Sequence, residues 1–243
     1  MSEKLYIVIP AYNEEDNIKN VAEEWYPIVE KYGTESQLVI INDGSKDNTL
    51  SLLKELEVDM PLLTVLDKTN SGHGATLLYG YHYALEQGAD YIFQTDSDGQ
   101  TLPEEFAVFW ENREKFDAVI GYRNHREDGA SRVFVTKVLK LVLRMIFGVK
   151  VTDANTPFRL MTRDVLSRYI GEVPHNFNLT NVLLTVFFIK GGEKVHFIPI
   201  TFRPRQGGVN SINFKRIIKI GIQAFKDFRK INTIWVENHK TKE

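Results

Sequence analysis

The 243-residue sequence predicts an α/β protein with a parallel central sheet covered by helices on both faces. Three observations carry that reading. Short apolar runs alternate with longer stretches of helical periodicity through the first half of the chain. The runs are continuously apolar, as befits strands buried on both faces. Each run then ends in a cluster of polar residues and glycine, and in such sheets ligands bind beyond the carboxyl ends of the strands.

The elements follow in order. Leu5–Ile9 is a strand closed by Pro10. A helix spans about 15–31, with Asn13 as its N-cap and acidic residues in its first turn. Leu38–Ile41 is the second strand and 45–55 the second helix. Leu62–Leu66 is the third strand; His73–Gln87 is the third helix, stopped by Gly88. Tyr91–Gln94 is the fourth strand and Ala118–Gly121 the fifth, followed by a polar loop over 122–130. The second half is less regular: helices at 131–147 and 164–170, an apolar helix at 179–189, a strand over 194–202 by alternation, and a basic amphipathic helix from Asn213 to about Lys230. No repeat or Pro/Gly/Ser-rich linker interrupts the chain. A single domain over 1–237 with a frayed tail at 238–243 is expected.

Composition narrows the function classes. Hydrophobic residues at 43% and charged residues at 26% are ordinary for a globular protein with a real core. A formal net charge of -2 gives no support for nucleic-acid binding. Zero cysteines exclude a disulfide framework and a Cys-based zinc site. The first residues do not read as a secretory signal, and no window approaches the roughly 18 uninterrupted apolar residues of a membrane span. A cytoplasmic protein is expected, with peripheral attachment to a membrane surface open to it.

The strand ends hold the chemistry. Asp96-Ser97-Asp98 follows the fourth strand and places two carboxylates one residue apart. Residues i and i+2 of a strand face one side, so the pair is either a site for a hard cation such as Mg²⁺ or Mn²⁺, or an Asx-rich turn. The other strand ends favour the cation. They carry Pro10-Ala11-Tyr12-Asn13-Glu14, Asn42-Asp43-Gly44-Ser45, and Asp67 through Gly74. Asp43 can accept hydrogen bonds from a base or ribose, and Tyr12 can pack against a base. Neither the P-loop nor the Gly-x-Gly-x-x-Gly fingerprint is present. A cation held by Asp96 and Asp98 would instead neutralise a departing nucleoside diphosphate.

Taken together, Val8-Ile9-Pro10-Ala11-Tyr12-Asn13-Glu14-Glu15, Ile41-Asn42-Asp43-Gly44-Ser45 and Asp96-Ser97-Asp98 resemble the inverting family 2 glycosyltransferases of the GT-A, or nucleotide-diphospho-sugar transferase, fold. The subgroup is that of dolichyl-phosphate mannosyltransferase-like and polyprenyl-phosphate enzymes. The resemblance covers nearly the whole chain and implies a mostly parallel sheet flanked by helices. It implies that Pro10, Tyr12, Glu14 and Asp43 contact the nucleoside, with Asp96 also on the nucleotide, and that Asp96, Asp98 and Gln100 hold Mg²⁺ or Mn²⁺. By the same resemblance Arg123 and Arg132 face the acceptor phosphate, and Arg205, in Arg203–Ser211, belongs to a late loop that closes over the diphosphate. Two departures stand out. The family's Asp-x-x-x-Gly-Phe-Arg is here Asp153–Arg159 with Pro157 in the glycine position, where proline fixes φ and removes a donor. The C-terminal membrane helices that many relatives carry are not in this sequence.

The implied reaction moves a sugar from a nucleotide-sugar donor to a polyprenyl phosphate with inversion. A hydroxyl acceptor on a glycan or glycolipid would need a general base, and Asp153 is the candidate, with loop stabilisation as its other reading. A phosphate acceptor needs cations: Arg123, Arg126 and Arg132 form a basic stretch that could clamp it, though Arg126 reads rather as a solvated loop residue, and Arg205 stays with the donor diphosphate. His73 either touches the diphosphate or caps its helix; His175, His82 and the surrounding tyrosines, Trp25 and Trp110 read as structural. A catalytically silent nucleotide- or membrane-binding scaffold is the non-enzymatic alternative. Val133–Phe147 and Phe214–Lys230 are basic amphipathic helices suited to an anionic bilayer surface, to a solvated face, or to a homo-oligomer contact.

Overall fold

The computed structural model describes residues 3–32, 35–123, 130–203 and 214–239, without the side chains of 130–134 and 214–222. These residues fall into two compact units, Met1–His125 with Thr152–Gly208, and Arg126–Val151 with Val209–Glu243. The sequence offers no linker to divide them.

The first unit is the sheet. Its strands are β1 (Leu5–Ala11), β2 (Gln37–Asp43), β3 (Leu63–Lys68), β4 (Tyr91–Gln94), β5 (Ala118–Arg123), β6 (Arg159–Thr162) and β7 (Val195–Ile200), in the spatial order β3-β2-β1-β4-β6-β5-β7. All neighbours are parallel except β6, which runs antiparallel to both β4 and β5. The sheet is therefore mostly parallel, as expected. All seven residues of β1 are buried, which explains why the strand is apolar without alternation.

The helices of this unit are α1 (Ile18–Lys31), α2 (Thr49–Asp59), α3 (His73–Glu86), α4 (Phe106–Glu111), α6 (Arg163–Tyr169) and α7 (Thr180–Lys190), with α5 (Ala130–Phe147) and α8 (Phe214–His239) in the second unit. Trp25 of α1 packs on Phe93 of β4 at 5.3 Å between ring centroids, and Phe158 meets Phe93 edge-on at 4.7 Å. α3 lies so close to the sheet that a Cβ on Gly80 would meet Val8 Cγ1 at 2.6 Å and Ile41 Cδ1 at 2.8 Å. Gly88 takes φ 81° as the residue that stops α3. Trp25 and Tyr81 are core residues, whereas Tyr79, read as packing, is 44% exposed.

Two elements differ from the sequence reading in kind. α4 and β6 are additional, and β6 is the more consequential, since it joins β4 to β5. Asn13 is not a helix cap. It sits at φ 54°, its Oδ1 accepts from the Lys46 N–H at 2.8 Å, and its own N–H donates to Ser45 Oγ at 3.0 Å. The N-cap position falls to Asn17, no acidic residue lies in the first turn, and the Glu14 carbonyl accepts from the N–H groups of Asn17 and Ile18. Asn13 and residues 45–48 are thus spent on tying the first two strand-end loops together, which is why α1 and α2 begin three and four residues later than expected.

In the second unit, Phe147 of α5 meets Phe228 of α8 edge-on at 5.7 Å, and Asn232 Nδ2 donates to the Ile146 carbonyl at 2.8 Å. α8 continues to His239, well beyond Lys230; residues 240–243 lie outside the described residues. The exposed surface of α5 carries Lys137 and Arg144 together with Val138, Leu141 and Met145. No helix among the described residues is long and apolar enough to cross a membrane.

Candidate active site

A cleft of about 410 Å³ opens along the carboxyl edge of the first four strands, lined by Pro10, Tyr12, Glu14, Asp43, Asp96 and Asp98 among others. Every nucleotide-contacting residue expected from the sequence lies on this surface, and so do two of the three expected metal ligands. Asn70, Gly72, His73 and Thr76, from the β3–α3 connection, complete the same wall.

Tyr12 stands at the mouth with 43% of its surface exposed, a ring available for stacking. Glu14 is 9% exposed, and its Oε2 accepts from Asn17 Nδ2. Asp43 ends β2 and is largely committed within the protein. Its Oδ1 accepts from Lys68 Nζ and the Ser71 N–H, and its Oδ2 from the Gly72 N–H at 2.9 Å. Burial alone would raise the Asp43 carboxyl; the hydrogen bonds from Lys68 and the Ser71 N–H, with the Lys68 charge, outweigh it and hold the pKa below the usual range. Each carboxylate oxygen accepts twice, so Oδ2 retains one position for a ligand. Lys68 is a site residue that sequence reading missed: besides Asp43, it donates to the Thr69 carbonyl and Ser71 Oγ and so shapes the loop before α3.

Asp96 and Asp98 follow β4 directly. Asp96 Oδ1 accepts from Gln94 Nε2 at 3.1 Å, and His73 Nε2 lies 3.9 Å from the same oxygen. Asp98 Oδ1 accepts from the Gln100 N–H at 3.1 Å, so the segment is an Asx turn as well as a carboxylate pair. Each aspartate keeps its Oδ2 without a hydrogen-bond partner among the described residues. Two hard oxygens at the rim of a cleft fit Mg²⁺ or Mn²⁺, which bind through one or two carboxylates plus substrate phosphates. No cluster of three or more acidic, His or Cys ligands occurs among the described residues, so the phosphates and water would complete such a site.

Burial pushes the Asp96 carboxyl up to about 6. His73, Arg159 and Arg123 favour the charged form, and Asp98 opposes it. The shift stands although 28% of the Asp96 side chain remains accessible through the cleft. The unfolded chain holds this carboxyl near 3.8, so between about 4 and 6 the folded protein binds the extra proton. Folding is favoured by this group at low pH and loses that advantage as pH rises through 6. The thermal midpoint of the metal-free protein relative to Asp96→Asn should therefore fall as pH goes from about 4 to 7, while Mn²⁺ binding strengthens over the same interval. Calorimetry of the two proteins across that range checks the first expectation; a constant difference between them would overturn it.

The remaining expected residues are dispersed. Gln100 does not line the cleft: its Nε2 donates to the Arg203 carbonyl at 3.2 Å, leaving Oε1 as the only side-chain atom able to meet a cation. Arg203 holds the turn after Asp98 from the other side. Its backbone N–H donates to the Gln100 carbonyl, its Nε to the Gly99 carbonyl, and its guanidinium pairs with Glu24 of α1. Arg123 ends β5 with its guanidinium 3.5 Å from the Phe202 ring centroid, and its charge reaches Asp96. Asp153 is 8% exposed, and its Oδ1 accepts from the Asn155 N–H, a loop-holding contact. The side chain of Arg132, as well as Arg126 and Arg205, lies outside the described residues.

Beneath the cleft lies a polar layer assembled by contacts between residues distant in sequence. Arg159 is fully buried and donates to the carbonyls of Ala154, Thr156 and Asn181 and to Thr185 Oγ1. Its residue type in the Pro157-Phe158-Arg159 motif was the available signal, though burial of an arginine is rare enough to run against expectation.

Comparison with known proteins places this geometry. The family model described as "Glycosyl transferase family 2" matches residues 6–170. An undecaprenyl-phosphate 4-deoxy-4-formamido-L-arabinose transferase of Pseudomonas fluorescens is 30% identical over 168 residues, 68% of this chain and 48% of that protein. Its counterpart in Salmonella paratyphi B is 24% identical over 89% of this chain and 65% of its own length. The chain thus spans about half to just under two thirds of the curated relatives it matches. Among solved structures, glucosyl-3-phosphoglycerate synthase of Mycobacterium tuberculosis in complex with Mn²⁺, uridine-diphosphate-glucose and phosphoglyceric acid superposes with a TM-score of 0.70. It covers 95% of this chain and 80% of its own, at 17% identity, a likeness of GT-A fold.

Proposed function

The chain belongs to glycosyl transferase family 2, and from that premise we propose that it transfers a sugar from a nucleotide-diphosphate sugar to a polyprenyl phosphate with inversion at the anomeric carbon. The observation that carries the reading is the cleft itself, which gathers Tyr12, Asp43, Asp96 and Asp98 from three separate strand ends. In this reading Tyr12 stacks on the base, and the remaining acceptor position of Asp43 receives a base or ribose donor. Asp96 and Asp98, with Gln100 Oε1 as a candidate third ligand, hold Mg²⁺ or Mn²⁺ against the diphosphate. The bound ion supplies charge neutralisation for the departing diphosphate.

The acceptor oxygen attacks the anomeric carbon from the face opposite the diphosphate, and the bond to the diphosphate breaks. A phosphate acceptor is already anionic, so no proton has to be removed; cations must hold it in line instead. Arg123, with its guanidinium 3.5 Å from the Phe202 ring centroid and its charge reaching Asp96, suits that role; by the family resemblance Arg132 would share it, and Arg205 would close over the departing diphosphate. The names of the two undecaprenyl-phosphate transferases support the same acceptor class. The mixed cationic and apolar surface of α5 supports peripheral contact with an anionic bilayer, where such an acceptor resides.

Incubation with radiolabelled nucleotide sugars, Mn²⁺ and vesicles of polyprenyl phosphate in anionic phospholipid tests both points. Label should enter the organic phase, and the protein should sediment with the vesicles. Transfer only to soluble glycans would replace the phosphate acceptor by a hydroxyl one, with Asp153 as base. Protein that stays in the supernatant would remove the membrane contact.

A further inference from the structure

Below the cleft, a chain of side-chain hydrogen bonds runs from α3 to the metal-facing carboxylate. Tyr81 Oη donates to Asn181 Oδ1 at 3.3 Å. Asn181 Nδ2 donates to Gln94 Oε1 at 3.0 Å, and Gln94 Nε2 donates to Asp96 Oδ1 at 3.1 Å. Tyr81 and Gln94 are fully buried and Asn181 is 3% exposed. The amide orientations follow from chemistry. Ionised Asp96 only accepts, so Gln94 must turn its NH₂ toward it; the Gln94 oxygen then requires the NH₂ of Asn181, whose oxygen is left for the tyrosine hydroxyl. Every donor points toward Asp96, and each bond polarises the next in the same direction.

Asn181 is itself held from behind. It lies in the first turn of α7, where its carbonyl accepts from Arg159 Nη1 at 3.0 Å and from Thr185 Oγ1 at 2.8 Å. The neighbouring Thr180 Oγ1 donates to the Gly74 carbonyl at the start of α3. The backbone that carries the Asn181 amide is therefore anchored by α3, α7 and β6, and the amide itself cannot swing away without breaking its buried hydrogen bonds to Tyr81 and Gln94.

We propose that Asn181 is a positioning residue for catalysis. Through Gln94 it locks Asp96 Oδ1 into a hydrogen bond and so presents Asp96 Oδ2 to the divalent cation and the diphosphate. Asn181 does not line the cleft and touches no ligand there. Its effect reaches the cation only through the orientation and charge of Asp96, the usual way in which outer partners tune metal ligands. The proposal rests on the metal assignment of the proposed function.

The test is Mn²⁺ titration followed by electron paramagnetic resonance of the free ion. It is run without nucleotide and with uridine, guanosine, cytidine or adenosine diphosphate, and thermal melts confirm folding. Asn181→Leu should weaken Mn²⁺ binding about 10–100-fold, the range found when outer-shell partners of metal ligands are removed. Tyr81→Phe, which only removes the far end of the chain, should give a smaller loss in the same direction and keeps the test open if Asn181→Leu fails to fold. Gln94→Leu combined with either variant should bind Mn²⁺ no more weakly than Gln94→Leu alone, because all act through one link; independent structural damage would instead add. Wild-type affinity in folded Asn181→Leu, or in Tyr81→Phe should the first not fold, overturns the relay and leaves the metal site standing. No Mn²⁺ binding by the wild type under any nucleotide overturns the metal assignment and the relay with it.

Discussion

Replacing Asp98 by Ala should reduce sugar transfer on the order of 10³-fold while leaving the fold nearly as stable as before. The two expectations have separate physical grounds. In the proposed site Asp96 and Asp98 share the cation, and removing one leaves Asp96 alone to anchor it against the diphosphate. Charge stabilisation of a leaving group by a bound ion is worth several kcal/mol, and each 1.4 or so of that is about tenfold in rate. Stability is a different matter. Among the described residues Asp98 receives one hydrogen bond, from the Gln100 N–H; it contributes about 1 kcal/mol, and its loss is offset by relief of the repulsion that Asp98 exerts on Asp96. Asp98→Asn separates the two contributions further, since the amide oxygen can keep the turn while the charge is gone. Initial rates at saturating Mn²⁺, paired with thermal melts, decide the case. Turnover unchanged in folded Asp98→Ala would refute the metal assignment.

The parts of this site that sequence reading reached are those carried by local order. A strand that is apolar throughout and then turns polar announces its own end, so Tyr12, Asp43, Asp96 and Asp98 could be assigned to one edge before any pairing was known. The parallel register of β1 with β2 and β4 then brings those ends side by side. What escaped depends on contacts between distant residues. β6 is four residues long and begins with an arginine two residues after Pro157, so it carries neither the period nor the composition of a strand; its antiparallel pairing with β4 and β5 makes it one. Asn181 meets Gln94 across 87 positions of sequence, in a helix whose apolar run conceals the one amide that matters. Asn13 was misread for the opposite reason. It is a good N-cap residue in the right place, but a cross-loop bond to Lys46 outcompetes the local one. Gln100 is committed in part: its Nε2 donates to the Arg203 carbonyl, which leaves Oε1 for the expected role.

Gly74→Ala should be among the most damaging single methyl additions in the first unit. Gly74 lies in the first turn of α3, where the backbone just before α7 crosses it. A Cβ there would sit 2.1 Å from the Phe177 carbonyl oxygen and 2.9 Å from two backbone atoms of Asn178. These are main-chain atoms, so no rotamer change relieves the overlap and the two helix starts must separate. Overpacking of a core typically costs about 1–3 kcal/mol, and a backbone clash this close belongs at or above the top of that range. For a chain of this size, about 3 kcal/mol corresponds to a fall of roughly 6–12 °C in the thermal midpoint. The displacement also has a functional direction. Moving α7 away from α3 stretches the Thr180–Gly74 hydrogen bond and withdraws Asn181 from Gln94, while His73 shifts within the cleft wall. Mn²⁺ affinity should therefore fall together with the midpoint, below the temperature of unfolding and in protein that is still fully folded. Gly80→Ala supplies the contrast: its Cβ would meet the ends of Val8 and Ile41 side chains on the sheet, and its only path to the relay is through the neighbouring Tyr81 at the far end. It should lower the midpoint with a smaller loss of Mn²⁺ affinity than Gly74→Ala. Equal loss of Mn²⁺ affinity in both glycine variants would mean that the cleft responds to general loosening of α3, and the specific coupling between the start of α7 and Asp96 would be wrong.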